Sequence, residues 1–272
     1  MSSVYNGPIR LVVTDLAGTA VDYGSCAPAG AFAELFECHG VPITSAEARA
    51  PMGLQKRDHI VALTETPRIA EAWMAKHGSA PDESLIDNMY QEFVSIQVEC
   101  LPNFDNVIPG VLETIEAFHA RDILVAATTG YNREMLEVVL AGAAKHGFQP
   151  DFSCCAEDVP QGRPAPWMIY RSMEALGVFP AAAVMNLGDT LPDVESGYNA
   201  RTWNVGVTRT GNMLGLDLDS AKDMPEEKIQ PLLEEASARM QKHGAHTAIE
   251  AFADCLSCID DFESRLAAGE QP

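Results

Sequence analysis

Residues 12–22 read VVTDLAGTAVD, an apolar run that ends on Asp15 and passes into the small residues Ala17-Gly18-Thr19. Such an acid can be a turn residue, since Asp and Gly both favour turns, or a reactive carboxylate at the end of a buried strand. The stretch alone does not separate the two. The spacing of the rest of the chain does.

Outward from Ile9–Thr14, three more short apolar runs read as buried strands: Ile123–Thr128 (ILVAAT), Ala182–Leu187 (AAVMNL) and Arg201–Val207 (RTWNVGV). Helical patterns alternate with them near 109–120, 132–146, 164–176 and 192–199. Helices between buried strands predict an α/β fold, a doubly wound parallel-sheet core covered on both faces. Catalytic groups in such sheets lie at the carboxyl ends of strands, where Asp15 stands.

Simple alternation breaks once. Roughly ninety residues separate Asp15 from Pro109, far more than a crossover requires, and they hold amphipathic patterns such as AFAELFECHG and IDNMYQEFVSIQVECL. The expectation is an inserted α-helical cap domain over residues 25–105, with residues 1–24 and 106–272 forming the α/β core. Asp22–Ser25 and Pro102–Asp105 would be the hinges.

Composition narrows the partners. At 272 residues, with 47% hydrophobic and 21% charged residues, the chain can bury a full core. A formal charge of −21 argues against nucleic acid and against anionic membranes. It leaves room for an anionic small molecule, because one local cation reverses the field in a pocket. Seven scattered cysteines, without a secretory signal or a bilayer-length apolar run, predict a cytoplasmic protein with free thiols. Cys255 and Cys258 have metal or redox spacing but no second pair, and read as core packing. The run DMPEEKIQPLLEEASARM reads as a solvated helix face. His39, His77, His119, His146, His243 and His246 lack ligand spacing and read as surface residues.

Three further strand ends line up with the first. Thr129-Gly130-Tyr131 offers a hydroxyl and amides to an anion, Arg163 precedes a proline-started helix, and Asp189 and Asp193 follow the next strand. A carboxylate nucleophile, a hydroxyl, a cation and two more acids suit phosphoryl transfer through an aspartyl phosphate, with Mg²⁺ on hard oxygen ligands. In order and spacing the chain resembles the haloacid dehalogenase superfamily over nearly its whole length.

One departure narrows the resemblance. Phosphatases of that superfamily place a second Asp two residues after the nucleophile to protonate the leaving oxygen, and here that residue is Ala17. The insert carries a different aid, EAR-x-PMG-x-x-K-x-x-H, with Lys56 and His59 three apart on one helix face. A lysine whose ammonium is destabilised can form an imine, an electron sink that lets a carbon–phosphorus bond break without an oxygen acid. With D-x-AGT-x-VD, TTGY-x-x-EM, GRPAPWM and GDT-x-x-D-x-x-x-G-x-NA in order, the chain is similar to the phosphonoacetaldehyde hydrolase (phosphonatase) branch. Leu16 replaces a usual Trp, and Ala20 a usual Thr or Val.

The resemblance implies these roles. Asp15 attacks phosphorus; Asp15, the Ala17 carbonyl and Asp189 hold Mg²⁺, with Asp193 in support. Thr129, Gly130 and Arg163 bind the phosphonyl group, Lys56 forms the imine, His59 and Tyr131 move protons, and Met52 and Gly53 line the cleft. Acetaldehyde and phosphate would be the products, in 2-aminoethylphosphonate degradation, from a homodimer joined through the cap. Two alternatives stand at this point: a related phosphatase or phosphonate hydrolase without imine chemistry, and a non-catalytic protein that keeps the fold.

Overall fold

The computed structural model describes residues 4–272. The chain starts with β1 (Leu11–Asp15), then runs through five helices, α1 (Cys26–Cys38), α2 (Ser45–Arg49), α3 (Lys56–Glu65), α4 (Pro67–His77) and α5 (Glu83–Cys100). It continues as α6 (Val111–His119), β2 (Leu124–Thr129), α7 (Arg133–Lys145), β3 (Phe152–Cys155), α8 (Trp167–Leu176), β4 (Val184–Gly188), α9 (Leu191–Ala200) and β5 (Trp203–Val207). The C-terminal part holds α10 (Leu218–Asp223), α11 (Glu226–Lys242), β6 (Thr247–Ile249) and α12 (Cys255–Ala267).

The six strands form one parallel sheet in the order β3-β2-β1-β4-β5-β6. All five residues of β1 are buried, as a strand covered on both faces requires. The order reverses beside β1, and Asp15 pairs in register with Thr128 of β2. Asp15, Thr129 and Gly188 therefore end on one edge of the sheet, at the switch point where α/β folds hold their ligands.

Two strands escape the periodicity reading. β3 is the four-residue FSCC and β6 the three-residue TAI, both at the sheet's margins and too short to show a pattern. The helix expected from 164 begins three residues later, at Trp167, with Pro166 as its cap. His246 is not a surface group: its Nδ1 accepts the Asn204 N–H at 2.9 Å, and its ring packs beside Trp203. The seven cysteines are all unpaired thiols, and Cys255 and Cys258 are buried in α12.

Helices α1 to α5 share an apolar centre of Phe32, Phe36, Trp73 and Phe93, each 1% exposed or less. Phe32 stacks on Phe93 with ring centroids 4.2 Å apart. Their ends follow from local chemistry: Thr44 and Glu47 form a capping box for α2, Asp82 caps α5, and Pro67 starts α4. The strand-like segments entering and leaving this region run side by side. Asp22 N donates to Asn106 O at 3.1 Å, and Ile108 N donates to Ala20 O at 2.9 Å. No helix among the described residues is long and apolar enough to cross a membrane.

Candidate active site

Three carboxylates meet at the sheet edge. Asp15, Asp189 and Asp193 each present an oxygen within 4.8 Å of the others, and all are buried. Small residues make this approach possible. Gly18 has φ +88°, and a side chain there would overlap Asp189; one at Gly188 would overlap Asp193. Thr19 Oγ1 donates to Asp189 Oδ1 at 3.1 Å, and the Asn212 N–H donates to Asp189 Oδ2 at 2.7 Å. Asp193 folds back at the start of α9, where Oδ2 accepts from both the N–H and the hydroxyl of Thr190.

Arg163 is the cation among them. Its Nη1 donates to Asp15 Oδ1 at 2.6 Å and lies 2.7 Å from Asp193 Oδ1, while Nη2 donates to Thr128 Oγ1 at 2.7 Å. No guanidinium N–H is aligned on Asp193 Oδ1, which is left without a hydrogen-bond partner. Burial, with Asp15 and Asp193 next, pushes Asp189 well above the usual carboxylate range. Burial also pushes Asp193 up to about 7, against the pull of Arg163. Hard oxygen donors, excess buried negative charge and an orphaned oxygen fit a divalent cation such as Mg²⁺.

A small cavity of about 20 Å³, room for about one water, adjoins this cluster. Asp15, Ala17, Thr129, Gly130, Tyr131 and Arg163 line it from the sheet side; Met52, Gly53 and Lys56 line it from the loop and helix opposite. Those two walls touch closely. A Cβ at Gly130 would stand 2.9 Å from the Leu54 carbonyl, and one at Gly162 would stand 2.7 Å from the Gln55 side chain.

Lys56 is 6% exposed and makes no ion pair among the described residues. Its Nζ lies 5.0 Å from the Tyr131 ring centroid and 5.7 Å from that of Phe32. Burial lowers its pKa from 10.5 to about 8; Asp15 opposes the shift and Arg163 adds to it. The result is an amine that is partly neutral at physiological pH.

His59 sits behind Lys56. It is fully buried, stacks on Phe32 at 3.7 Å, and its Nε2 lies 2.9 Å from the Ala48 carbonyl, which fixes Nε2 as the protonated nitrogen. Burial and then Lys56 hold its pKa well below 6.5, and Nδ1 has no partner. Tyr131 turns its ring face to Lys56, and burial raises its phenol well above 10, with Oη unpartnered.

The residues singled out in the sequence thus come together, with His59 set back from the cavity lining. Sequence reasoning passed over Ser25, Pro28 and Thr190, which also line the cavity. Ser25 was assigned only to a linker; it is 1% exposed and adopts φ +50°, an unusual conformation for a residue with a side chain. No sequence signal marks it.

Comparison with known proteins gives the family. The haloacid dehalogenase-like hydrolase family model matches residues 9–201. A Paraburkholderia xenovorans (strain LB400) protein named phosphonoacetaldehyde hydrolase is 43% identical over 264 residues, covering 97% of this chain and 99% of its own. One of the same name from Nitratidesulfovibrio vulgaris is 39% identical over 269 residues, covering 99% and 96%. The crystal structure of a phosphonoacetaldehyde hydrolase-like protein from Oleispira antarctica superimposes with a TM-score of 0.98 at 36% identity, covering 100% of this chain and 99% of that one. The chain belongs to the phosphonoacetaldehyde hydrolase family of the haloacid dehalogenase-like hydrolases.

Proposed function

We propose that the protein hydrolyses phosphonoacetaldehyde to acetaldehyde and phosphate, with α1 to α5 acting as a cap that closes Lys56 over Asp15. The observation that supports this reading most strongly is a buried amine, lowered to about 8, that lines one cavity with a strand-end carboxylate and an arginine. The relatives' shared name supplies the substrate.

In this proposal neutral Lys56 adds to the aldehyde carbon and water leaves, giving a protonated imine. An oxygen of Asp15 then bonds phosphorus as the carbon–phosphorus bond breaks, and its electron pair moves into the imine to form an enamine. Protonation of the enamine carbon and hydrolysis of the resulting imine release acetaldehyde and restore Lys56. Water attacks the aspartyl phosphate, and phosphate leaves. The absent acid at Ala17 costs nothing here, because the leaving group is carbon and not an alkoxide.

Arg163, Thr129 and the amide of Gly130 would hold the phosphonyl oxygens, and Arg163 would oppose their growing charge. Asp15, the Ala17 carbonyl and Asp189 would hold Mg²⁺, with Asp193 in support. When bound, the cation offsets the repulsion between the carboxylate nucleophile and its anionic substrate. His59, with one nitrogen held by Ala48, would carry protons from Nδ1 through water, while Tyr131, Met52 and Gly53 would shape the dry wall around the amine. The proposal extends to a cytoplasmic homodimer in 2-aminoethylphosphonate breakdown, as the resemblance implies.

Lys56→Arg keeps a cation and cannot form an imine. Acetaldehyde release from phosphonoacetaldehyde should vanish in that variant while Mg²⁺ still raises its melting temperature. Continued acetaldehyde release would leave a hydrolase that works without the imine.

A further inference from the structure

We propose that Arg49 and Asn212 form a clasp that holds the helical segment closed, making both positioning residues for the reaction above. The proposal rests on the reading that closure brings Lys56 to Asp15. Arg49 ends α2, just ahead of the Pro51-Met52-Gly53 turn and Lys56. Its Nη1 donates to Asn212 Oδ1 at 3.2 Å, and Asn212 Nδ2 returns a bond to the Arg49 carbonyl, also at 3.2 Å. The same Nη1 reaches the first linker, at Gly24 O (2.6 Å) and Ser25 O (3.2 Å).

Asn212 lies in the loop after β5, and that loop serves the other side of the site as well. The Asn212 N–H binds Asp189, Thr210 O accepts the Gly24 N–H at 2.7 Å, and Thr210 Oγ1 binds Gly18 O at 2.8 Å. The loop is also shaped to the guanidinium: Gly215 has φ +63°, and a Cβ there would stand 2.6 Å from Arg49 Nε. Beyond the linkers, where Asp22, Tyr23, Gly24 and Asp105 also bond across, the Arg49–Asn212 pair ties the helical segment to the core through two side-chain hydrogen bonds. Opening the segment must break them. One short loop therefore joins the acid cluster, through a backbone N–H, to the state of the helical segment, through a side chain.

Asn212→Ala removes the clasp and leaves the N–H on Asp189 in place. Loss of two hydrogen bonds, one from a charged donor, should lower the ratio of closed to open about tenfold. Hydrogen exchange on the ligand-free, full-length protein should then quicken about tenfold at Gly24 and Leu54, with far-UV circular dichroism unchanged. In steady-state assays with phosphonoacetaldehyde, kcat/KM should fall about tenfold. Arg49→Ala should lose more, since the linker carbonyls also lose their donor, and adding Asn212→Ala to it should cost less than that change costs alone, because only the bond from Asn212 to the residue 49 carbonyl is left to lose.

Asn212→Asp keeps the acceptor for Arg49 and should exchange within about threefold of wild type; it also serves if the alanine variant fails to fold. Unchanged exchange in Asn212→Ala, or losses in kcat/KM that multiply in the double variant, would overturn the clasp. Exchange is read without substrate, so failure of the clasp and failure of the imine reading are separate results.

Discussion

Gly53→Ala probes the cleft where the helical segment lies closest to Thr190. Gly53 has φ +96°, and an added Cβ would overlap Thr190 Oγ1 and stand 3.0 Å from Thr190 Cβ and Pro192 Cγ. The threonine cannot turn away freely, because that hydroxyl is committed to Asp193. Two costs follow, and they separate. Left-handed backbone costs alanine about 1–2 kcal/mol whether the segment is open or closed, so it lowers the melting temperature. The overlap costs about 1–3 kcal/mol only when Gly53 lies against Thr190, so it lowers the closed fraction. At 1.4 kcal/mol per factor of ten, kcat/KM should fall roughly 5- to 150-fold. The control is Gly78→Ala, at φ +79° with nothing within 4 Å of the added carbon. It should lose stability and keep its rate. Assays of acetaldehyde release beside thermal melts read both effects. A Gly53→Ala enzyme within twofold of wild type, or an equal loss of rate in Gly78→Ala, would refute the reasoning.

Lys56→Met should stabilise the fold at pH 7. Lys56 titrates near 8 when folded and near 10.5 when unfolded, so below pH 8 both states hold the proton and the native state carries the whole cost of a buried ammonium. Between pH 8 and 10.5 only the unfolded chain holds it, so wild-type stability rises with pH; the advantage of Lys56→Met, up to about 3 kcal/mol, should shrink across that window in urea titrations. A variant no more stable than wild type at pH 7 would contradict the cost of burial. Asp189→Asn relieves repulsion in the buried acid cluster, so it should melt higher than wild type in a chelator. Mg²⁺ should raise the melting temperature of wild type and leave the variant unmoved; equal responses would place the cation elsewhere.

The parts legible in the sequence were those with a strong local cause. Buried parallel strands are apolar throughout, so β1, β2, β4 and β5 stood out, and Asp15, Thr129 and Asp189 stand at or just past the ends of three of them. β3 and β6 depend on pairing with a neighbour more than on their own four and three residues. Lys56 was legible from its motif, yet the cause of its low pKa, enclosure by Phe32 and Tyr131 from distant parts of the chain, was not. Arg49 belonged to a recognisable motif, but its partner Asn212 is a lone loop asparagine 163 positions away. Ser25 gave no hint of the cavity either, because its burial is a product of how Arg49 and the loop after β5 fold over the linker. Contacts made by loops against loops leave no periodicity to read.

The central claim is that the Lys56 amine bonds the substrate's carbonyl carbon while phosphorus faces Asp15. Reduction with borohydride during turnover of phosphonoacetaldehyde, followed by peptide mass spectrometry, tests it most directly. Irreversible inactivation should follow, with the reduced adduct on Lys56 alone, and none should occur without substrate. Full activity after reduction, or an adduct confined to other lysines, would contradict it.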